Sequence, residues 1–256
     1  MFAEAVLLAA GLGRRIRSLF AIPKFAIPIE KTPLIKYPIS SLINVGVKRI
    51  IVVVARKYVD EAINVLAPVR SRAEIVVVAN PRPEWGNGYS LILALPHITS
   101  SVFLISMCDH IYQSSIPRRV LETLIAKEAS VSVGGDRIGG YIEVEEATKI
   151  LVDMDGRVLS IGKMLRKYTH IDVGVIAMEK RFLKKISTVC ERSSVTVTDI
   201  INLGVRLGYD VVVGDVTGSL WTEIDTPIDY LELIRGRRRK VLERVRGELG
   251  FVWEAN

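Results

Sequence analysis

The 256-residue chain contains a single glutamine, Gln113, and two cysteines, Cys108 and Cys190. Two scattered thiols build neither a disulfide framework nor a zinc site, which leaves a reducing cytosol as the default surroundings. Scarce thermolabile glutamine beside abundant lysine, arginine and glutamate points to a thermophilic source. No apolar run reaches the roughly 20 residues that span a bilayer. The start, Met1-Phe2-Ala3-Glu4, lacks the basic stretch and cleavage site of a secretory signal. Nothing resembles a Pro/Gly/Ser linker, an internal repeat or a low-complexity segment. One domain over 1–256 is expected, cytoplasmic and at most peripheral at the inner membrane face. An RNP-type motif is missing, as are aromatics interleaved with basic residues, which argues against nucleic acid.

What is present is a globular composition, 49% hydrophobic and 25% charged, with a formal net charge of +7. That is enough to bury a sizeable core. A basic surplus suits phosphorylated small molecules or an anionic membrane, and its placement decides between them.

The first half alternates strand and helix signals. Ala5–Ala9, Arg49–Ala55, Glu74–Ala79 and Ser101–Met107 are short apolar runs of the kind buried on both faces of a sheet. Between them, Ile35, Ile39, Leu42 and Ile43 recur at helical spacing, with Pro38 in the first turn and Gly46 as a stop. Val59, Ile63 and Leu66 mark a second helix, and Tyr89–Leu95 a third, with Asn87 suited to cap it. Strands alternating with helices of this length predict a mainly parallel α/β sheet that binds ligands at the carboxyl ends of its strands. After Gly134 the texture turns to short strands and turns, with a hairpin signal at Asp155-Gly156. Strands are expected at Ile171–Met178 and Val211–Gly214, a helix at Val197–Leu207, and a long terminal helix after Pro227. The division expected is a nucleotide half at 1–134, an acceptor half at 135–225 and a basic helix at 227–249.

The first site candidate is LAAGLGRRI, Leu8 to Ile16, followed by Pro23-Lys24. Gly11 and Gly13 let the backbone approach a phosphate, and successive loop N–H groups cradle its oxygens. Arg15 and Lys24 supply positive charge for a triphosphate. The glycine pattern is neither a Rossmann fingerprint, since its third glycine is missing, nor a P-loop, since no GK[ST] follows. On the glycines alone, a plain strand-to-helix turn with solvated basic residues is the stronger reading.

LAAGLGRRI with a downstream PK resembles the signature of the sugar nucleotidyltransferases. The resemblance extends through NPRPEWGNGYSLILA, MCDHIY, SIGK at Ser160–Lys163, HIDVGVIAM at His170–Met178 and WTEIDTPIDY at Trp221–Tyr230, in order and over nearly the whole chain. The DHIY and GNGYS segments are most similar to the inositol-1-phosphate cytidylyltransferase branch. The resemblance implies a Rossmann-like, GT-A-like fold with a small β-rich acceptor-binding insertion, and a nucleotidyltransferase that makes CDP-inositol and pyrophosphate from CTP and inositol 1-phosphate. It implies nucleotide contacts from Leu8, Ala9, Ala10, Gly11, Gly13 and Arg14, and base and ribose contacts from Asn80, Gly86, Asn87 and Gly88. Arg15, Lys24 and Lys163 become the catalytic cations, Asp109 and Asp225 the ligands of Mg²⁺, and Gly139, Gly140, Lys163 and Asp172 the acceptor site. Arg14 departs from the usual Ser or Thr, the loop from Arg15 to Pro23 is short, and Glu223 replaces a frequent Asp.

His110 and His170 invite a general-base reading, but a phosphate acceptor is already ionised at neutral pH and needs no proton removed. Cys108 reads as a small core residue. The rival acceptors are sugar 1-phosphates, with UTP, dTTP or GTP, and phosphocholine, although no aromatic cage for a quaternary ammonium stands out. A regulatory subunit that binds nucleotide without turning it over is a rival of another class. Such a subunit would have lost Lys24, Asp109 or Asp225.

Seven basic residues and one acid lie between Arg235 and Arg246, with Ile234, Val241, Val245 and Leu249 near one helical face. A packed terminal helix with a solvated basic face is one reading. Docking at an anionic membrane is the other. The resemblance implies a membrane-embedded CDP-alcohol phosphatidyltransferase-type synthase as partner, expected as a separate protein because the chain ends at Asn256. A homodimer is also compatible with the sequence.

Overall fold

The protein was analysed as a computed structural model, which describes residues 4–190 and 194–250. In chain order, β1 (Glu4–Ala9) leads through a basic loop to a small hairpin, β2 (Pro28–Ile29) and β3 (Thr32–Pro33), and to helix α1 (Lys36–Asn44). Then come β4 (Arg49–Ala55), α2 (Val59–Leu66), β5 (Glu74–Asn80), α3 (Asn87–Ala94) and β6 (Val102–Met107). The second half runs β7 (His110–Tyr112), α4 (Ser115–Ala126), β8 (Val131–Asp136), β9 (Lys149–Val152), β10 (Val158–Gly162) and β11 (His170–Glu179). It finishes with α5 (Lys180–Ile186), α6 (Val197–Arg206), β12 (Val211–Asp215), β13 (Trp221–Glu223), α7 (Pro227–Arg235) and α8 (Arg239–Leu249).

Nine strands form one mixed sheet, with β5, β4, β1 and β6 parallel neighbours in that order. Strand β11 runs antiparallel against β6 on one side and β8 on the other, and β12 extends the sheet parallel to β8. The first residues of β11 also pair with β9, which carries the β9–β10 hairpin. The sheet is therefore continuous across the expected division at Gly134.

The alternation of a strand buried on both faces explains the layering. Ala5, Leu7 and Ala9 of β1 enter one core with Ile39, Leu42, Ala62, Leu66 and the apolar face of α4. Val6 and Leu8 enter a second with Leu91, Phe182, Leu183, Ile200 and Ile201. Helices α1, α2 and α4 thus cover one face, and α3, α5 and α6 the other. A third cluster, Ile16, Ile27, Ile29, Tyr37, Ile111, Ile224 and Leu233 with Val241, Leu242 and Val245, lies beneath the basic loop.

Two helix expectations change. The C-terminal helix is not continuous: α7 ends at Gly236, whose backbone is extended (φ −107°, ψ −159°), and α8 starts afresh at Arg239. The apolar face of α8 fills the third core cluster, so it is unavailable for insertion into a membrane. Helix α3 begins at Asn87 itself, and the Asn87 side chain caps a different helix: its Oδ1 accepts a hydrogen bond from Val197 N at 2.9 Å.

Candidate active site

Two distant acids are brought together by a two-stranded ladder. Strands β7 and β13 pair antiparallel, with His110 opposite Glu223. One residue beyond that pair, Ile224 N donates to Asp109 O at 3.0 Å. Asp109 and Asp225 therefore emerge side by side at the carboxyl end of the parallel strands. Thr226 caps α7 through a reciprocal box with Asp229, and Pro227 opens that helix.

Lys24 closes the cluster from a 3-10 turn that follows Pro23. Its Nζ lies 2.5 Å from Asp109 Oδ2 and also pairs with Asp225 Oδ1. Arg15 reaches the same carboxylate, Nη2 to Asp225 Oδ2 at 2.6 Å, and pairs with Glu146. Burial disfavours a charged Lys24, but the flanking Asp109 and Asp225 carboxylates outweigh it and hold the ammonium well above the usual lysine range. Burial likewise opposes ionisation of Asp109, and Lys24 and His110 together pull it well below the carboxylate range. Gly13 sits at φ +57°, with its Cα turned to the Lys24 stem.

His110 is fixed on three sides. Its Nδ1 lies 2.6 Å from Asp109 Oδ1, its ring stacks on Trp221 at 6.1 Å and 4°, and Gly174 packs against the other edge. A Cβ at Gly174 would lie 2.6 Å from His110 Nε2, and the φ there is +70°. Burial lowers the His110 pKa, and the Asp109 carboxylate more than compensates, raising it to about 9. The ring orients Asp109. Burial and Asp109 push the Cys108 thiol well above its ordinary range, which excludes it as a nucleophile.

Two adjoining recesses open around this cluster. One, of about 290 Å³, is lined by Leu8, Ala10, Gly11, Gly13, Arg14, Arg15, Lys24, Gly86, Asn87, Asp109 and Asp225, together with Pro83, Ser90, Met107 and Cys108. The other, of about 120 Å³, shares Asn87 and Met107 and takes His110, Glu146, Lys163, Asp172, Thr198, Trp221 and Glu223 into its wall. Asp172 is pushed up to about 6 by burial, against the pull of a 2.9 Å hydrogen bond from Gly174 N and of His110.

Five of the expected residues lie outside both linings. Ala9 is buried in the sheet. Asn80 lies wholly beneath the recess, where its Nδ2 donates to Ser90 Oγ at 2.9 Å and its Oδ1 accepts from Arg82 N at 2.7 Å. Gly88 packs on another backbone: its N donates to Val195 O at 3.0 Å, and a Cβ would lie 2.6 Å from Thr196 C. Gly139 serves a turn at φ +60°, its N donating to Asp136 Oδ2 at 3.2 Å, and Gly140 follows it outside the recess. At Gly88 and Gly139 the missing side chain serves local packing and the turn. His170 lies apart from the cluster, its Nε2 3.7 Å from Asp215. Glu146, Ser90, Pro83 and Thr198 were not anticipated. Glu146 and Pro83 come from irregular segments, where no periodic signal marks a side chain as inward-facing.

Among the described residues, the two linings hold five carboxylates (Asp109, Glu146, Asp172, Glu223, Asp225) against four permanent cations (Arg14, Arg15, Lys24, Lys163). Such a site has no surplus charge with which to hold a nucleoside triphosphate. A divalent cation fits: two carboxylate oxygens, hard donors, already converge on one positive centre, the Lys24 ammonium.

A family description, the MobA-like NTP transferase domain, matches residues 5–197. The bifunctional IPC transferase and DIPP synthase of Aquifex aeolicus is 32% identical over 231 residues, 90% of this chain and 50% of that protein. The Archaeoglobus fulgidus protein of the same name is 31% identical over 244 residues, 95% of this chain and 45% of its own length. The chain thus spans about half the length of these curated relatives. The inositol-1-phosphate CTP transferase of T. maritima superposes with a TM-score of 0.84 at 30% identity, covering 96% of each chain. With the recesses at the carboxyl ends of a mixed sheet and a matched region running through both cores, the chain belongs to the MobA-like NTP transferase family of nucleotidyltransferases.

Proposed function

We propose that the protein joins CTP to inositol 1-phosphate, giving CDP-inositol and pyrophosphate. An oxygen of the acceptor phosphate forms a bond to the α-phosphorus. The bond from that phosphorus to the α–β bridging oxygen breaks, and pyrophosphate leaves with the electron pair. No proton has to be removed, which suits a site whose histidine, His110, is committed to Asp109. The observation that carries the reading is the convergence of Lys24, Asp109 and Asp225 on one point from three remote stretches of chain.

The larger recess is assigned to the nucleotide. Gly11 is consistent with this, because a Cβ there would meet no protein atom within 4 Å and the backbone stands open to the recess it lines. Arg14 and Arg15 face the phosphates, and Lys24 offsets charge on the departing pyrophosphate. The smaller recess is assigned to the acceptor, with Lys163 on its phosphate and Asp172 and Glu223 on ring hydroxyls. Asp109 and Asp225 would hold Mg²⁺, which when bound screens the two anions from each other and polarises the phosphoryl oxygens. Repulsion between unit charges 4 Å apart is about 1 kcal/mol in water and several-fold larger in a drier site, so this screening is the main electrostatic task.

The reading covers the transferase activity in the names of the bifunctional relatives. A CDP-alcohol product calls for a membrane-embedded synthase as consumer, and the exposed basic residues Arg235, Arg237, Lys240 and Arg244 offer an electrostatic contact with an anionic surface. The test of function is a pyrophosphate-release panel with Mg²⁺, crossing four NTPs with inositol 1-phosphate, glucose 1-phosphate, mannose 1-phosphate and phosphocholine. CTP with inositol 1-phosphate should give the highest kcat/KM. A higher value for any other pair refutes the assignment, and no release with any pair refutes catalysis altogether.

A further inference from the structure

Of the seven basic residues between Arg235 and Arg246, Arg238 is the buried one, 1% exposed. Its Nη1 lies 2.8 Å from Asp229 Oδ1 and donates to Glu223 O at 3.0 Å. The other oxygen of Asp229 accepts from Asp225 N at 3.0 Å, Thr226 N at 2.8 Å and Thr226 Oγ1 at 2.9 Å. A single guanidinium therefore grips both ends of the Glu223–Asp225 segment, one directly and the other through Asp229.

We propose that Arg238 is a positioning residue, which holds this segment so that the Asp225 carboxylate stands against Lys24 and Asp109; the proposal rests on the phosphoryl-transfer reading of that cluster. A capping box needs only a carboxylate and a hydroxyl, and on an exposed helix it needs no counter-charge. Here the carboxylate is nearly inaccessible, with Asp229 5% exposed, and a buried carboxylate that loses its counter-charge is driven to turn outward to solvent. That movement releases the Asp225 and Thr226 N–H groups and lets the segment drift. The arrangement is costly to maintain, since Arg238 Nε is buried without an acceptor. A plain anchor for α8 would not require bonds to Glu223 O and to the residue that caps the Asp225 turn.

The test uses the full chain carrying Arg238→Met or Arg238→Lys, with Asp229→Asn and Asp225→Asn alongside. In metal-free protein, amide hydrogen exchange over residues 222–226 should accelerate by about tenfold or more in Arg238→Met while the amides of β1 and β4 keep their protection. Half-saturating Mg²⁺ in pyrophosphate release should rise by about tenfold or more, with the nucleotide KM changing less. Arg238→Lys should recover part of both effects, because it keeps the counter-charge for Asp229 while its ammonium ends one bond short of the Nη1 position that serves both Asp229 and Glu223 O. Unchanged exchange and unchanged Mg²⁺ dependence in folded Arg238→Met would overturn the proposal. If that variant does not fold, Arg238→Lys and Asp229→Asn decide in the same way. Asp225→Asn separates the two levels: retained activity there sinks the phosphoryl-site reading, whereas the metal-free exchange result judges the segment by itself.

Discussion

Replacing Lys24 by methionine keeps the volume of the side chain and removes its charge from between Asp109 and Asp225. Two oxygens that flank one ammonium are about 5 Å apart at most. At an effective dielectric of about 20, their unscreened repulsion is about 3 kcal/mol. The variant should lose about that much stability, which for a chain of this size is a drop of about 6–12 °C in melting temperature. The loss has two signatures that a simple packing defect lacks. Lys24 helps to hold Asp109 below the usual carboxylate range, so the deficit left by its loss is present at neutral pH and shrinks as the pH falls through and below that range. A divalent ion should also restore the variant more than it stabilises the wild type, because it supplies the missing positive charge. Thermal scans from neutral pH down through that range, with Mg²⁺ and with chelator, read both. In parallel, kcat should fall by about 10²-fold or more, as on loss of one charge-stabilising donor. Near-wild-type turnover, or a melting loss indifferent to pH and metal, would refute the electrostatic account.

Gly174→Ala should destabilise by about 1–3 kcal/mol, since it forces a side chain into left-handed backbone and onto the His110 ring. It should lower kcat by freeing Asp109, and unaltered kcat would show that the His110 contact is ornamental. The acceptor KM should improve as pH rises through about 6, where Asp172 ionises. Asp172→Asn should flatten that limb and raise the acceptor KM by about tenfold, and a nucleotide KM that moved instead would place Asp172 on the wrong substrate. Glu4, buried at the start of β1, pairs with Arg49 and accepts from Thr99 N at 2.7 Å and Ser100 N at 2.6 Å. Burial raises its pKa, but these bonds bring it below the ordinary value, so its stabilisation is present above the unfolded pKa and is lost as the pH falls through the folded one. Urea titrations should find Glu4→Gln about 2 kcal/mol weaker at pH 7 but approaching wild type as the pH falls below the ordinary glutamate range; parallel curves would contradict the assignment.

The parallel half of the fold was legible because a doubly buried strand has no alternative: RIIVVVA is the strand Arg49–Ala55 to the residue. The meeting of Asp109 and Asp225 was legible only through resemblance, since the ladder between His110 and Glu223 joins short strands with no distinctive pattern. Arg238 was not legible at all. It stands in a basic run with six similar neighbours, and what makes it different, Asp229 and the carbonyl of Glu223, lies nine and fifteen residues away across a helix break. The break itself was hidden, because Ile234, Val241, Val245 and Leu249 keep helical spacing across it. Asn80 shows the opposite error: a polar residue in a motif reads as a ligand contact, whereas its amide is spent on Ser90 and Arg82.

The backbone of Gly86–Gly88 lies directly on that of Val195–Thr196, with Asn87 bonded to Val197 N. One side of this double layer faces the larger recess and the start of α6 faces the smaller. Backbone meets backbone here, with no side chain between Gly88 and Thr196 to absorb a shift. A methyl group inserted at residue 88 would have to push these layers apart, and with them Gly86 and Asn87 in the wall of the larger recess and Val197 and Thr198 in the wall of the smaller.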